Sequence, residues 1–272
     1  MMLGGAIAIG FAPIGLRLSD FGPQATAFWR FLFALPMLGA IAVITEGGLG
    51  RPSPYAMLAG LFFGLDIALW HAALTQTSVA NATFLVNIGN ASVGLIAWIA
   101  LRERPGRLWI PAMTVALTGA LLLSRGSTGD DSGELGGDVL ALLAAAMVAL
   151  YLFFALLARR RQQPMQVLFW STAVTLGVSL SASLVSGEQV APPSFAWFAW
   201  PAALAIVAHV GGQGLIVAGV GRTAPAFAGL ILLIQPVTAA LIAWRLFGEA
   251  LAPLQLLGAT LILGGVWAAG RR

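Results

Sequence analysis

The sequence has no cysteine, no lysine, only two histidines and few charges of either sign; charged residues make up 9% of its 272 positions. Without cysteine there can be no disulfide, no thiolate metal site and no thiol nucleophile. A soluble domain carries about 25% charged residues, because its surface must be wetted. With 59% hydrophobic residues and a mean hydropathy of +0.92, this chain cannot cover itself with polar groups, and lipid must cover it. The net charge of +4 does not point to nucleic acid, since the 14 basic residues, all arginine, stand at the ends of apolar runs.

The same scarcity removes enzyme classes. Asp66 is the only carboxylate deep in an apolar run, whereas an intramembrane aspartyl enzyme needs two. His71 and His209 are 138 residues apart and cannot form the two-histidine helix of a zinc protease. The Gly-x-Ser-x-Gly motif of serine hydrolases is missing. No catalytic residue, metal site or cofactor is therefore expected. A channel would need a continuous polar path, but the polar residues cluster at mid-depth.

A helix needs about 20 apolar residues to cross roughly 30 Å of hydrocarbon. Turn and charge signals cut the chain into ten such runs: 2–18, 24–44, 54–75, 79–101, 107–124, 136–158, 164–186, 195–219, 224–247 and 252–270. Met1–Gly10 lacks the charged region and cleavage site of a signal peptide and reads as part of a first helix. Ten spans put both ends on one side. If that side is the cytoplasm, ten arginines (51, 102, 104, 107, 159, 160, 161, 222, 271 and 272) lie inside and four (17, 30, 125 and 245) outside. The positive-inside rule thus predicts cytoplasmic N- and C-termini. The setting is a lipid bilayer, and a monomer suffices.

The chain also repeats itself. Leu95-Ile96-Ala97-Trp98 recurs 146 residues later as Leu241-Ile242-Ala243-Trp244, and Glu103 recurs as Glu249. In the same register Gly119 falls on Gly265, and at an offset of 141 Phe28-Trp29 matches Phe169-Trp170. The expected organisation is an all-α membrane protein with a five-helix repeat at 1–125, an extracytoplasmic acidic linker at 126–138 and a second repeat at 139–272. Five is odd, so the second copy enters the membrane from the opposite side. Inverted repeats of this kind let secondary transporters present one midplane site alternately to each face.

Polar residues in a span cost roughly 2.5–3.5 kcal/mol at mid-bilayer, so they face a partner or a wet cavity. Asp66, Asn90, His209 and Gln235 each lie near the centre of a different span. Thr83, Asn87, Asn90 and Gly94 follow helical spacing and form one stripe; His209 and Gln213 share a face. Asp66 and Trp70 share another, with Phe62 a turn earlier and His71 beside Trp70. These residues are the expected substrate contacts: amides for a zwitterion and an aromatic platform for its side chain. Amides in membrane helices also bridge neighbouring helices, and His209 fits an interhelical bond equally well. Trp109, Trp197, Trp200 and Trp267 lie near span ends, where a belt of indoles prefers to sit. Pro236 withholds the donor that the Leu232 carbonyl needs, giving a hinge or an exposed acceptor, and Pro13 can act likewise in the first helix. A proton carrier would be Asp66, with His209; a facilitator fits equally well.

The stretches Ala72-Ala73-Leu74-Thr75-Gln76-Thr77-Ser78-Val79-Ala80-Asn81-Ala82, Leu101-Arg102-Glu103, Gln235-Pro236-Val237 and Gly248-Glu249 together resemble the EamA-type ten-helix branch of the drug/metabolite transporter superfamily. Arg30, in Phe28-Trp29-Arg30-Phe31, resembles that family's arginine early in helix two. Where the family has a proline in helix four this chain has Asn90, while the second copy keeps Pro236. The resemblance implies a bacterial inner-membrane exporter of amino acids, related metabolites or drugs. The tryptophan content and Trp70-His71 are similar to aromatic amino-acid exporters.

Overall fold

The computed structural model describes residues 1–125, 135–248 and 250–270. Among them the chain is helix and connecting turns, without strands. The elements are α1 (Met2–Ile9), α2 (Ala12–Arg17), α3 (Pro23–Glu46), α4 (Pro54–Ala73), α5 (Val79–Leu101), α6 (Trp109–Arg125), α7 (Leu135–Arg159) and α8 (Pro164–Val185). A 3₁₀ turn (Phe195–Phe198), α9 (Ala199–Leu204), a π-helical segment (Ala205–Gln213) and α10 (Gly214–Val220) then form one run. α11 (Pro225–Leu232), α12 (Ile234–Phe247) and α13 (Pro253–Gly270) complete the bundle. Among the described residues eight helical runs are long and apolar enough to cross a membrane, and Met2–Arg17 and Trp109–Arg125 are shorter apolar helices. Run boundaries fall within two residues of the cuts read from the sequence.

Local chemistry sets those boundaries. α3, α4, α8, α11 and α13 each open on proline, whose missing N–H is one of the donors a first turn leaves unused anyway. α3 and α12 end on Gly47 and Gly248 in the left-handed conformation, at φ 76° and 68°. α5 ends on Arg102 at φ 57°, the corresponding position to Gly248 in the other repeat. Residues 135–138, counted with the linker from sequence, instead form the first turn of α7. There the Asp138 carboxylate accepts from Thr77 Oγ1 (3.0 Å) and Asn81 Nδ2 (2.6 Å), which anchors the turn. Residues 126–134, Glu249, Arg271 and Arg272 lie outside the described residues.

Elements that correspond between the repeats pack against each other, and they do so antiparallel. In α6 and α13, a Cβ on Gly119 would lie 2.6 Å from the Gly258 carbonyl oxygen, and one on Gly265 would lie 2.7 Å from that of Ala112. These two contacts map onto each other at the 146-residue offset. α5 and α11 do the same, with Asn90 against Gly229 and Gly94 against Ala226. Small residues let membrane helices approach to backbone contact, where dispersion replaces the hydrophobic drive that lipid does not supply.

α3 and α8 are joined at both ends. At the end of α3, Glu46 accepts from Met165 N and Gln166 N (both 3.0 Å) at the start of α8. After α8, Glu188 accepts from Gln24 N (3.2 Å) and Ala25 N (2.8 Å) at the start of α3. The indoles repeat the pattern: Trp29 Nε1 donates to Val190 O and Trp170 Nε1 to Leu49 O, each at 2.9 Å. Each helix start is thus capped by a carboxylate, favourable to the positive end of its dipole, and tied by a tryptophan to the same loop.

Candidate functional site

Two runs are broken at proline. Pro13 has no N–H for the Ile9 carbonyl, and the first helix parts into α1 and α2. Pro236 has none for Leu232, and the ninth run parts at Leu233, which bonds back to Leu230 O at 3.1 Å in a tighter turn. The breaks meet: a Cβ on Gly10 would lie 2.6 Å from Thr238 Cβ and 2.9 Å from Gln235 O. Only a glycine lets the two chains cross this closely.

Beside this crossing lies a cavity of about 130 Å³. Gly10 comes from the break between α1 and α2 and Pro13 from α2; α3 contributes Arg30; α4 contributes Phe63, Asp66 and Trp70. Thr83, Asn87 and Asn90 line it from α5, Tyr151 from α7, Gln213 from the π-helical segment, and Leu232, Gln235 and Pro236 from the second break. Of the contacts expected from sequence, Asp66, Trp70, Thr83, Asn87, Asn90, Gln213 and Gln235 therefore come together, with Pro13, Leu232 and Pro236.

His71 and His209 do not line the cavity. His209 is fully buried against Phe63, at 6.0 Å between ring centroids, where Nε2 bonds Thr172 Oγ1 at 2.7 Å and Phe31 packs edge-on at 4.9 Å. Its environment matches the interhelical reading. His71 is buried behind Trp70, with ring centroids 5.2 Å apart. Phe62 also departs from the expected face: it stacks on Phe154 at 5.4 Å, and Phe63 turns to the cavity instead. Gly94 faces Trp109 and Ala226. Trp109 is no belt residue; it is 3% exposed and donates to Ala226 O at 2.8 Å.

The polar stripe on α5 is internally bonded. Asn87 Nδ2 donates to Thr83 O (2.8 Å) and Asn90 Nδ2 donates to Asn87 Oδ1 (3.2 Å). Across the cavity Gln213 Nε2 donates to the Tyr151 hydroxyl in a short bond. Tyr151 escaped sequence reasoning; the signal was a phenol, one of two in the chain, inside the apolar run of α7. Arg30, counted outside from sequence, is instead only 8% exposed and faces the cavity. Its Nε has no hydrogen-bond partner, nor has Trp70 Nε1. Asp66 is 5% exposed, and among the described residues no ion pair joins it to Arg30.

A polytopic helical bundle whose halves jointly build a polar cavity at two helix breaks is the framework of a membrane transporter. The chain belongs to the EamA-like transporter family, whose model matches residues 1–125 and again 135–271. That family lies within the drug/metabolite transporter superfamily, and its members are transporters rather than enzymes. The chain is 26% identical over 221 residues to the uncharacterized transporter YwfM of Bacillus subtilis, covering 78% of this chain and 72% of that protein. It is 25% identical over 269 residues to an uncharacterized transporter of Archaeoglobus fulgidus, covering 98% and 93%. A crystal structure superposes with a TM-score of 0.79 at 19% identity over 99% of this chain and 96% of the other, which shows a shared fold.

Proposed function

We propose that the protein is a secondary transporter of ten spans, built as two inverted five-helix repeats with both termini in the cytoplasm of a bacterial inner membrane. It exports amino acids, aromatic ones among them, by alternating access. The observation that carries this reading is the cavity itself, which draws its polar lining from both repeats and sits where two broken helices cross. The antiparallel contacts of α6 with α13 and of α5 with α11 support inversion, because corresponding elements of parallel repeats would not meet head to tail. Met2–Arg17 and Trp109–Arg125 complete the ten spans; at 17 residues the latter meets the lower bound of roughly 17–25 for a crossing helix. A cavity of about 130 Å³ lies below the roughly 300–1,000 Å³ typical of drug-sized ligands and favours a small metabolite.

Reconstitution in liposomes tests this directly. Radiolabelled tryptophan, phenylalanine and threonine are followed with and without a pH gradient, in wild type and in Asp66→Asn. Movement without a gradient establishes an amino-acid facilitator. Movement only with a gradient, lost in Asp66→Asn, establishes proton coupling. If no amino acid moves, the amino-acid assignment fails, and drugs, nucleosides and sugar conjugates become the compounds to try.

A further inference from the structure

Arg30 stands on α3 and Asp66 on α4. Gln24 Nε2 donates to Ala68 O at 2.9 Å, so the first turn of α3 lies against the C-terminal part of α4. Both charged side chains line the cavity, both are more than nine-tenths buried, and they do not pair with each other. Arg30 Nε lacks any hydrogen-bond partner, and the guanidinium rests 5.2 Å over the Phe31 ring. A cation and an anion kept apart in a membrane interior are costly unless something of opposite charge comes to each.

We infer that this pair receives the zwitterionic head of an α-amino acid, the Arg30 guanidinium taking the carboxylate and the Asp66 carboxylate taking the ammonium. This rests on the amino-acid reading above and specifies it. One ligand then satisfies both buried charges at once, and guanidinium with carboxylate is the pairing that a planar fork of donors suits best. The ligand's side chain falls on the Trp70 and Phe63 side of the cavity, where the free Trp70 indole N–H is available to a polar substituent. Because the zwitterion is neutral and the receptor charges stay with the protein, loading the site adds no net charge to the moving unit. Exchange of one zwitterion for another is accordingly insensitive to membrane potential.

The test is binding to the detergent-solubilised full chain, read by calorimetry and by thermal shift, with phenylalanine, phenylalaninamide and N-acetylphenylalanine. The amide lacks the carboxylate and the acetyl compound lacks the ammonium. Losing one charge-assisted contact is expected to weaken binding about 10- to 100-fold for either analogue. Arg30→Gln should erase the preference over the amide, and Asp66→Asn the preference over the acetyl compound, while Arg30→Lys and Asp66→Glu retain both. Should Arg30→Gln or Asp66→Asn fail to fold, the wild-type analogue series alone still decides. If phenylalanine and both analogues bind equally, the clamp is overturned and the amino-acid reading stands. If phenylalanine, tryptophan and threonine all fail to bind, both fall together.

Discussion

Replacing Glu188 with alanine should loosen the first turn of α3 and nothing else. The carboxylate accepts two backbone N–H bonds, at 3.2 and 2.8 Å, from Gln24 and Ala25. Loss of a cap costs about 0.5–2 kcal/mol, and the helix dipole adds about 0.3–1 kcal/mol for an anion at this end. Glu188 is half-buried, so water recovers part of the loss, and the net effect is about 2 kcal/mol. That corresponds to about a 30-fold rise in the local opening constant. Glu46→Ala should do the same to Met165 and Gln166 at the start of α8. The two caps lie at opposite ends of helices of 24 and 22 residues, on the order of 35 Å apart, so their effects should add. Hydrogen exchange resolved to these four amides measures both. The reasoning is refuted if Glu188→Ala leaves Gln24 and Ala25 within about threefold of wild-type exchange, or if it exposes the start of α8 instead.

Gly229→Ala places a methyl 2.2 Å from the Asn90 carbonyl oxygen and should cost about 1–3 kcal/mol, seen as a lower melting temperature in detergent. Gly177→Ala meets nothing within 4 Å and should raise stability slightly, since alanine is the better helix former by about 1 kcal/mol. Pro236→Ala restores the missing donor to Leu232 and should heal the break; liposome uptake is expected to fall while the amount of protein in the membrane holds, and unchanged uptake would remove the break from the mechanism. Tyr151→Phe strips the partner from Gln213 Nε2 and should cost about 1–3 kcal/mol of stability, which Gln213→Leu in the same chain partly restores.

Helix ends were legible because prolines and charges punctuate the apolar runs, and depth was legible because it follows from position within a run. Asp66, Asn90 and Gln235 were placed at the cavity by depth alone. Azimuth was not legible. A membrane helix is apolar all round, and which face turns inward depends on what packs against it. Phe62 and Phe63 exchange roles for this reason, and Arg30 belongs to the interior although its place near a span end reads as outside. Helical spacing placed His209 and Gln213 together, yet only Gln213 reaches the cavity, because the Phe63 ring, which lines the cavity, stacks on His209 at 6.0 Å. The broken helices were half visible: Pro13 and Pro236 marked where bonds are lost, but only the packing of Gly10 on Gln235 brings the two breaks together.

The reciprocal caps of α3 and α8 set a timetable for synthesis. Glu46 is 119 residues ahead of Met165, so the start of α8 finds its cap already waiting when it emerges. Gln24 precedes Glu188 by 164 residues, and the start of α3 must wait for it. At about 5–20 residues per second that delay is on the order of ten seconds or more. During it the leading half of the chain holds a bare helix start at the membrane surface, which is the interval in which a quality-control protease would find an unfinished molecule.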